Sequence, residues 1–298
     1  MSLFGVPLTL LSIQVVNGLM EGMLLFLIAS GLTLIFGVSR IINFAHGSLY
    51  MLGAFITFQL VPLFGASSIA GFAAAVLISA LAVAAVGALF ERLVLRRLYH
   101  REELMQLIIT IALVMILRDA VKSIWGQANL SVPTPDALSG GLQLGDMMFP
   151  ALQIALFAAS LTVLIVMIVV IRFTRAGILL RAATDDRGMV ALLGTDSARI
   201  FTAVVATGSF LAGLAGGLVA PFGNVNYLMD TGIIVDAFIV CVIGGLGNIY
   251  GTLAAALVIG VVKALGIVWL PRGAMVLIFA LMAIALIIRS IGRQEVTR

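Results

Sequence analysis

The sequence predicts an all-α fold, a polytopic bundle of transmembrane helices, and three observations carry that prediction. Hydrophobic residues fill 62% of the 298 positions and charged residues only 10%, whereas a soluble domain needs roughly a quarter of its residues charged to keep a wet surface. Mean hydropathy is +1.24. Most of the chain resolves into apolar runs close to the ~20 residues that carry a helix across a bilayer, with none of the short alternating segments of a membrane β-barrel.

Taken in order, the runs lie at 8–36, 44–63, 68–91, 104–125, 148–171, 200–222, 233–247, 250–270 and 273–289. The opening "MSLFGVPLTLL" has no basic stretch and no cleavage-like motif after it, so it reads as part of the mature chain. The run 233–247 covers only about 22 Å at 1.5 Å per residue, short of a ~30 Å core. A broken or half helix is expected there. Outer loops are short except for "GQANLSVPTPDALSGGLQLGD", 126–146, which is turn-rich in Pro, Gly and Ser.

Charge fixes the sidedness. Thirteen of the seventeen Lys and Arg fall at Arg40, Arg92–Arg101, Arg172–Arg199 and Arg289–Arg298, and the positive-inside rule places all of these clusters in the cytoplasm. Two runs separate Arg40 from Arg92, two separate Arg101 from Arg172, and four separate Arg199 from Arg289. Every count is even, as a shared side requires. Roughly eight to nine spans follow, with the C-terminus inside, the N-terminus outside, and residues 1–298 forming a single transmembrane domain.

Small residues recur four apart: Gly213 with Gly217, Ala212 with Gly216 and Ala220, Gly251 with Ala255, and Ala256 with Gly260 and Ala264. That spacing stacks them on one helix face and lets backbones approach closely, which describes packing rather than transport.

Enzyme chemistry finds no support. There is no H-E-x-x-H and no G-x-S-x-G motif. His46, His100 and Cys241 are scattered, too few and too far apart for a metal site. Lys122 in "AVKSI" and Lys263 in "VVKAL" do not sit in a phosphate-binding loop, so the chain has no P-loop with which to bind ATP.

Polar residues inside apolar runs are the candidates for function, because each needs a partner at membrane depth. Gln14, Asn17 and Glu21 form one stripe at three- and four-residue spacing, expected to face the bundle interior or a pathway. In "INFAHGSLYMLGAF", Asn43 and His46 are three apart and Gly47 follows. A helix breaking at Gly47, stapled by these two side chains, is the expectation; lining of a translocation path is the alternative. Asn224, Asn226 and Asp230 are expected in an outer loop, Asp236 as a cap on the short run, and Asn248 closing a turn.

The longest cytoplasmic segment, 174–198, reads as a short amphipathic helix. Leu180, Ala183, Met189, Ala191, Leu192 and Leu193 are apolar, Arg181, Asp185, Asp186 and Arg187 are charged, and Gly194 is a candidate stop. Its apolar face has alanine and leucine rather than the aromatic anchors of an interfacial helix. Docking into a protein groove is the alternative to lying on lipid.

This segment resembles the EAA-like loop of ABC importer permeases, in the branched-chain form R-A-x-x-x-(D/N)-x-x-x-A-x-x-x-G. Arg181, Ala182, Asp186, Val190 or Ala191, and Gly194 match it. "GLTLIFGVSRIINFAHGSLYMLGAF" and "GGLGNIYGTLAAALVIG" resemble the LivH-type permease family of branched-chain amino acid importers. The resemblance implies the ABC importer permease fold, with Arg181, Ala182, Asp185, Asp186, Ala191 and Gly194 docking a cytoplasmic ATPase that binds the ATP. It also implies a second homologous permease, an extracytoplasmic binding protein and a multi-pass place in the bacterial inner membrane. No cofactor is implied in this chain. Related permeases carry urea, short amides or aromatic acids, so the substrate stays open at this point. A self-sufficient secondary transporter, with Glu21 as its coupling acid, is the reading from another class.

Overall fold

The computed structural model describes residues 2–3, 6–65, 67–99, 101–144, 147–185, 190, 196–269 and 273–296. Ten helices run through them: α1 (Leu8–Ser39), α2 (Ala45–Phe64), α3 (Ile69–Leu93), α4 (Glu103–Trp125), α5 (Ala151–Phe173), α6 (Arg175–Asp185), α7 (Ser197–Val219), α8 (Met229–Gly244), α9 (Ile249–Trp269) and α10 (Ala274–Val296). Among the described residues seven are long and apolar enough to cross a membrane: α1 to α5, α7 and α9. The short run is a 16-residue helix, α8, starting four positions before the expected 233. In α10 the described apolar stretch is Val276–Ile287.

α1 is the hub. Of its apolar window 83% is buried, against 22% for α4 and for α5, which therefore sit on the rim. α9 packs along α1 through glycine: a Cβ on Gly18 would strike the backbone of Gly260 and Val261, and one on Gly22 that of Ala256 and Leu257. The second seam joins α7 to α2 and α3, where Gly216 lies on the Tyr50 carbonyl and Gly217 on Thr57 and Ser79. The four-residue stripes are thus packing faces, as their spacing implies.

The break between the first two helices falls before Gly47, not at it. α1 ends at Ser39, and Arg40 takes φ 55°, a left-handed conformation that costs a non-glycine residue roughly 1 kcal/mol or more. The chain then returns through Ile41, Asn43 and Phe44 into the protein before α2 begins. Gly47 lies inside α2, where a Cβ would strike the Asp230 carbonyl of α8. Its role is close approach, so the kink expected there is replaced by a tight helix crossing.

Sidedness is consistent with the charge pattern. Leu130–Ser131, after α4, pairs antiparallel with Asn224–Val225, after α7, so these two loops share one end of the bundle. A hairpin of Gly141–Leu144 with Met147–Pro150 closes the 126–146 loop. Among the described residues, Arg92, Arg96 and Arg97 before α4 and Arg175, Arg181 and Arg199 ahead of or at the start of α7 lie at the opposite end, since these helices run from there toward the two loops.

Candidate functional site

The Asn43–His46 pair holds the α1–α2 reversal. Asn43 is 1% exposed and its Oδ1 accepts the Ala45 N–H at 3.1 Å, fastening the start of α2. His46 is fully buried, and its Nε2 stands 3.0 Å from the Ile28 carbonyl in α1. A carbonyl only accepts, so Nε2 carries the proton. Both side chains are buried and tie the start of α2 to itself and to α1, at a reversal that precedes Gly47 rather than at a break there.

Beside them lies a network absent from the sequence reading. Asp230, expected in a solvated loop, is 2% exposed in the first turn of α8. Arg118 of α4 grips it with Nε, 3.1 Å from Oδ1 and 2.9 Å from Oδ2, and with Nη2, 2.8 Å from Oδ1. Ser48 of α2 donates to Oδ2 at 2.7 Å, and Arg118 Nη2 donates to Thr231 Oγ1 at 2.6 Å. A buried carboxylate is tolerable only when paired and saturated with donors, and here α2 and α4 supply them to the aspartate of α8. Burial corrects the loop assignment: Asp230 is reached by an arginine too distant in sequence for local pattern to reveal.

A second ionic group joins α1, α8 and α9. Lys263 Nζ lies 2.7 Å from Glu21 Oε1 and 3.3 Å from Asp236 Oδ2. Asp236 is therefore a mid-helix ion-pair partner, not a cap. The contacts of the stripe divide between two neighbours: Glu21 meets α9, whereas Asn17 Oδ1 accepts from Gln153 Nε2 of α5 at 3.4 Å, and Gln14 is half-buried. Asn248 does close its turn, accepting the Gly251 N–H at 3.1 Å. Deeper between the same three helices, Thr33 Oγ1 lies 2.9 Å from Thr252 Oγ1 and 3.1 Å from Cys241 Sγ.

At the arginine-rich end, α6 runs from Arg175 to Asp185 within the 174–198 segment. Ala183 is buried against Leu34 and Val38 of α1 and Phe201 and Val204 of α7. Ala182 is half-buried. Arg181 is exposed and donates through Nη1 to the Ile171 carbonyl, tying α6 to the end of α5. Ile178 and Leu179 point outward, 57% and 39% exposed. Asp185 ends the helix as described, with its side chain outside the described residues, and Asp186, Ala191 and Gly194 lie wholly outside them.

Next to α6 a third network crosses the cytoplasmic end. Glu91 of α3 is fully buried, accepting from Thr202 Oγ1 of α7 at 2.5 Å and from Tyr99 Oη at 3.0 Å, with Arg96 Nη2 at 3.5 Å. Tyr99 stacks on Phe201, ring centroids 4.8 Å apart. α6, α1, α3 and α7 thus share one continuous contact zone. An apolar crevice of about 910 Å³ opens above α6 between α5 and α7. Among the described residues no three His, Cys, Asp or Glu gather as a metal site would require.

Comparison with known proteins agrees with this architecture. The family model for the permease component of branched-chain amino acid transport systems matches residues 14–286. The permease protein LivH of the high-affinity branched-chain amino acid transport system of Escherichia coli (strain K12) is 28% identical, with 96% of each chain covered. BraD, the permease protein of such a system in Pseudomonas aeruginosa, is 31% identical over 96% of this chain and 97% of its own. A probable LivH from Methanocaldococcus jannaschii is 27% identical over 81% of this chain and 76% of its own. No solved structure matches. The chain belongs to the branched-chain amino acid permease family, a multi-pass membrane protein of transport.

Proposed function

We propose that this chain is one membrane-spanning subunit of an ATP-driven importer for branched-chain or other small hydrophobic amino acids, set in the bacterial inner membrane. A separate binding protein delivers the substrate, a second homologous permease completes the path, and paired cytoplasmic ATPases bind and hydrolyse the ATP. The observation that carries this reading is the outward apolar face of α6, Ile178 and Leu179, at the arginine-rich end of a chain whose family is named for this transport.

The mechanism is alternating access driven from below. Closure of the ATPase pair pushes on α6. Because Ala183 is lodged between α1 and α7, and Arg181 ties α6 to α5, a shift of α6 moves three spans together. The Glu91–Thr202–Tyr99 network carries α3 along. Small residues at the seams permit helices to slide without opening large voids. Arg181 acts as a tie within this chain as well as a docking residue, while Asp185, Asp186, Ala191 and Gly194 keep the docking role that the loop resemblance gives them.

The test is a gentle-detergent pull-down from native membranes, paired with uptake. A P-loop ATPase and a second permease should co-purify. Ile178→Asp places a charge on the outward face and should release the ATPase and stop uptake, with the amount of folded subunit unchanged. A homo-oligomer without ATPase, transporting normally, would overturn the reading in favour of a secondary transporter. Competition by leucine rather than urea decides the substrate class.

A further inference from the structure

The ionic group of Glu21, Lys263 and Asp236 is not sealed by the chain that carries it. The side chains stay 37%, 29% and 23% exposed, respectively, although Glu21 and Lys263 belong to membrane-crossing helices and Asp236 to the short apolar helix packed against both. Hydrocarbon is a poor neighbour for such atoms: ionised groups inside a membrane face the bundle interior, a water-filled cavity or a polar partner. The surface beside them is also open. Gly232 stands one turn before Asp236 on α8, and a Cβ there would meet no atom within 4 Å.

The chemistry of the group is specific. Two carboxylates share one ammonium, so one negative charge is left over. A zwitterionic amino acid brings both complements, an ammonium for the two carboxylates and a carboxylate for the Lys263 ammonium. A neutral amide offers neither charge. A protein partner would need its own buried cation at this spot to balance the surplus, whereas water in a pathway needs nothing further.

We propose that Glu21, Lys263 and Asp236 line the aqueous translocation path and hold the two charged ends of an amino acid as it passes. The amino-acid part rests on the proposed function; the water-filled path does not.

The single cysteine supplies the test. Cys241 is fully buried, so the native chain gives a silent background to a water-soluble thiol reagent. A thiol reacts through its thiolate, which water supports and hydrocarbon does not. Gly232→Cys and, separately, Asp236→Cys are introduced in the complete complex in membrane vesicles and treated with a cationic methanethiosulfonate. Ile116→Cys, on the rim helix α4 where Ile116 is 63% exposed, is the lipid-facing control. Gly232→Cys disturbs no ion pair, so it reports even if Asp236→Cys fails to accumulate. Labelling of Gly232→Cys without labelling of Ile116→Cys is expected. If Gly232→Cys is as unreactive as the control, lipid or a protein partner seals this face and the proposal is overturned. In turning-over complexes, leucine with its binding protein should slow labelling and urea should not. Unchanged labelling under active leucine uptake would refute the amino-acid contact. Failure of leucine uptake in the unlabelled native complex would instead refute the functional reading.

Discussion

Asp230 and Asp236 lie six residues apart in one short helix and are treated in opposite ways. Six residues are about 1.7 turns at 3.6 residues per turn, so the two carboxylates leave α8 on different sides. Asp230 turns inward to Ser48 and Arg118, with donors on both oxygens. Asp236 turns toward α1 and α9, where it shares a single ammonium with Glu21 and keeps part of its surface open. The first group is closed and holds three helices in register. The second is open and poorly saturated, and open ionic groups are where a membrane protein meets something other than itself.

That contrast can be broken most forcefully at Arg118. Arg118→Ala leaves Asp230 buried without its cation, and losing one partner of a buried pair costs about 3–5 kcal/mol. Thermal unfolding in detergent should show a large loss of folded subunit, and Arg118→Lys, which lacks the two-pronged grip, should recover only part of it. Normal stability in Arg118→Ala would mean the closed network holds nothing together. Lys263→Met should behave differently. Its pairs are part-exposed, a class in which an ion pair contributes roughly 0–1 kcal/mol, so folded protein should stay near the native amount while uptake collapses. Should stability and uptake fall together, the open group is structural after all. Glu21→Gln is milder again, because Asp236 still pairs with Lys263. Uptake should drop without vanishing and stay ATP-dependent; complete loss with the complex intact would revive Glu21 as a coupling acid. Thr231→Val is the smallest perturbation. It removes one hydroxyl beside Arg118, worth about 0.5–1.5 kcal/mol, with no effect on uptake per folded molecule.

The spans, their parity and the packing stripes were legible in the sequence because they depend on local length and spacing. Asn43 and His46 were singled out by their three-residue spacing, and both are buried at the α1–α2 reversal, though the break they were expected to staple does not fall at Gly47. Partners distant along the chain were not legible. Arg118 and Asp230 are separated by |i−j| = 112, and no local pattern connects them; an aspartate near two asparagines and a proline looks like a loop. Asp236 was misread for the same reason, its lysine lying 27 positions on in another helix. Gly47 was read as a breaker because glycine weakens an isolated helix, yet a neighbouring carbonyl is what requires it.

The seam between α1 and α9 has a consequence for biosynthesis. Gly18 and Gly22 in α1 find their surfaces at Ala256, Leu257, Gly260 and Val261, more than two hundred positions downstream. At about 5–20 residues per second of synthesis, the central helix of the bundle spends on the order of ten to fifty seconds in the bilayer before the helix that covers it exists. Its grooved glycine face is bare during that interval, beside the Glu21 carboxylate that still lacks Lys263. A nascent chain halted before α9 therefore leaves both the glycine groove and the Glu21 carboxylate without the partners that α9 supplies. The surfaces that close the first helix arrive only with Ile249–Trp269.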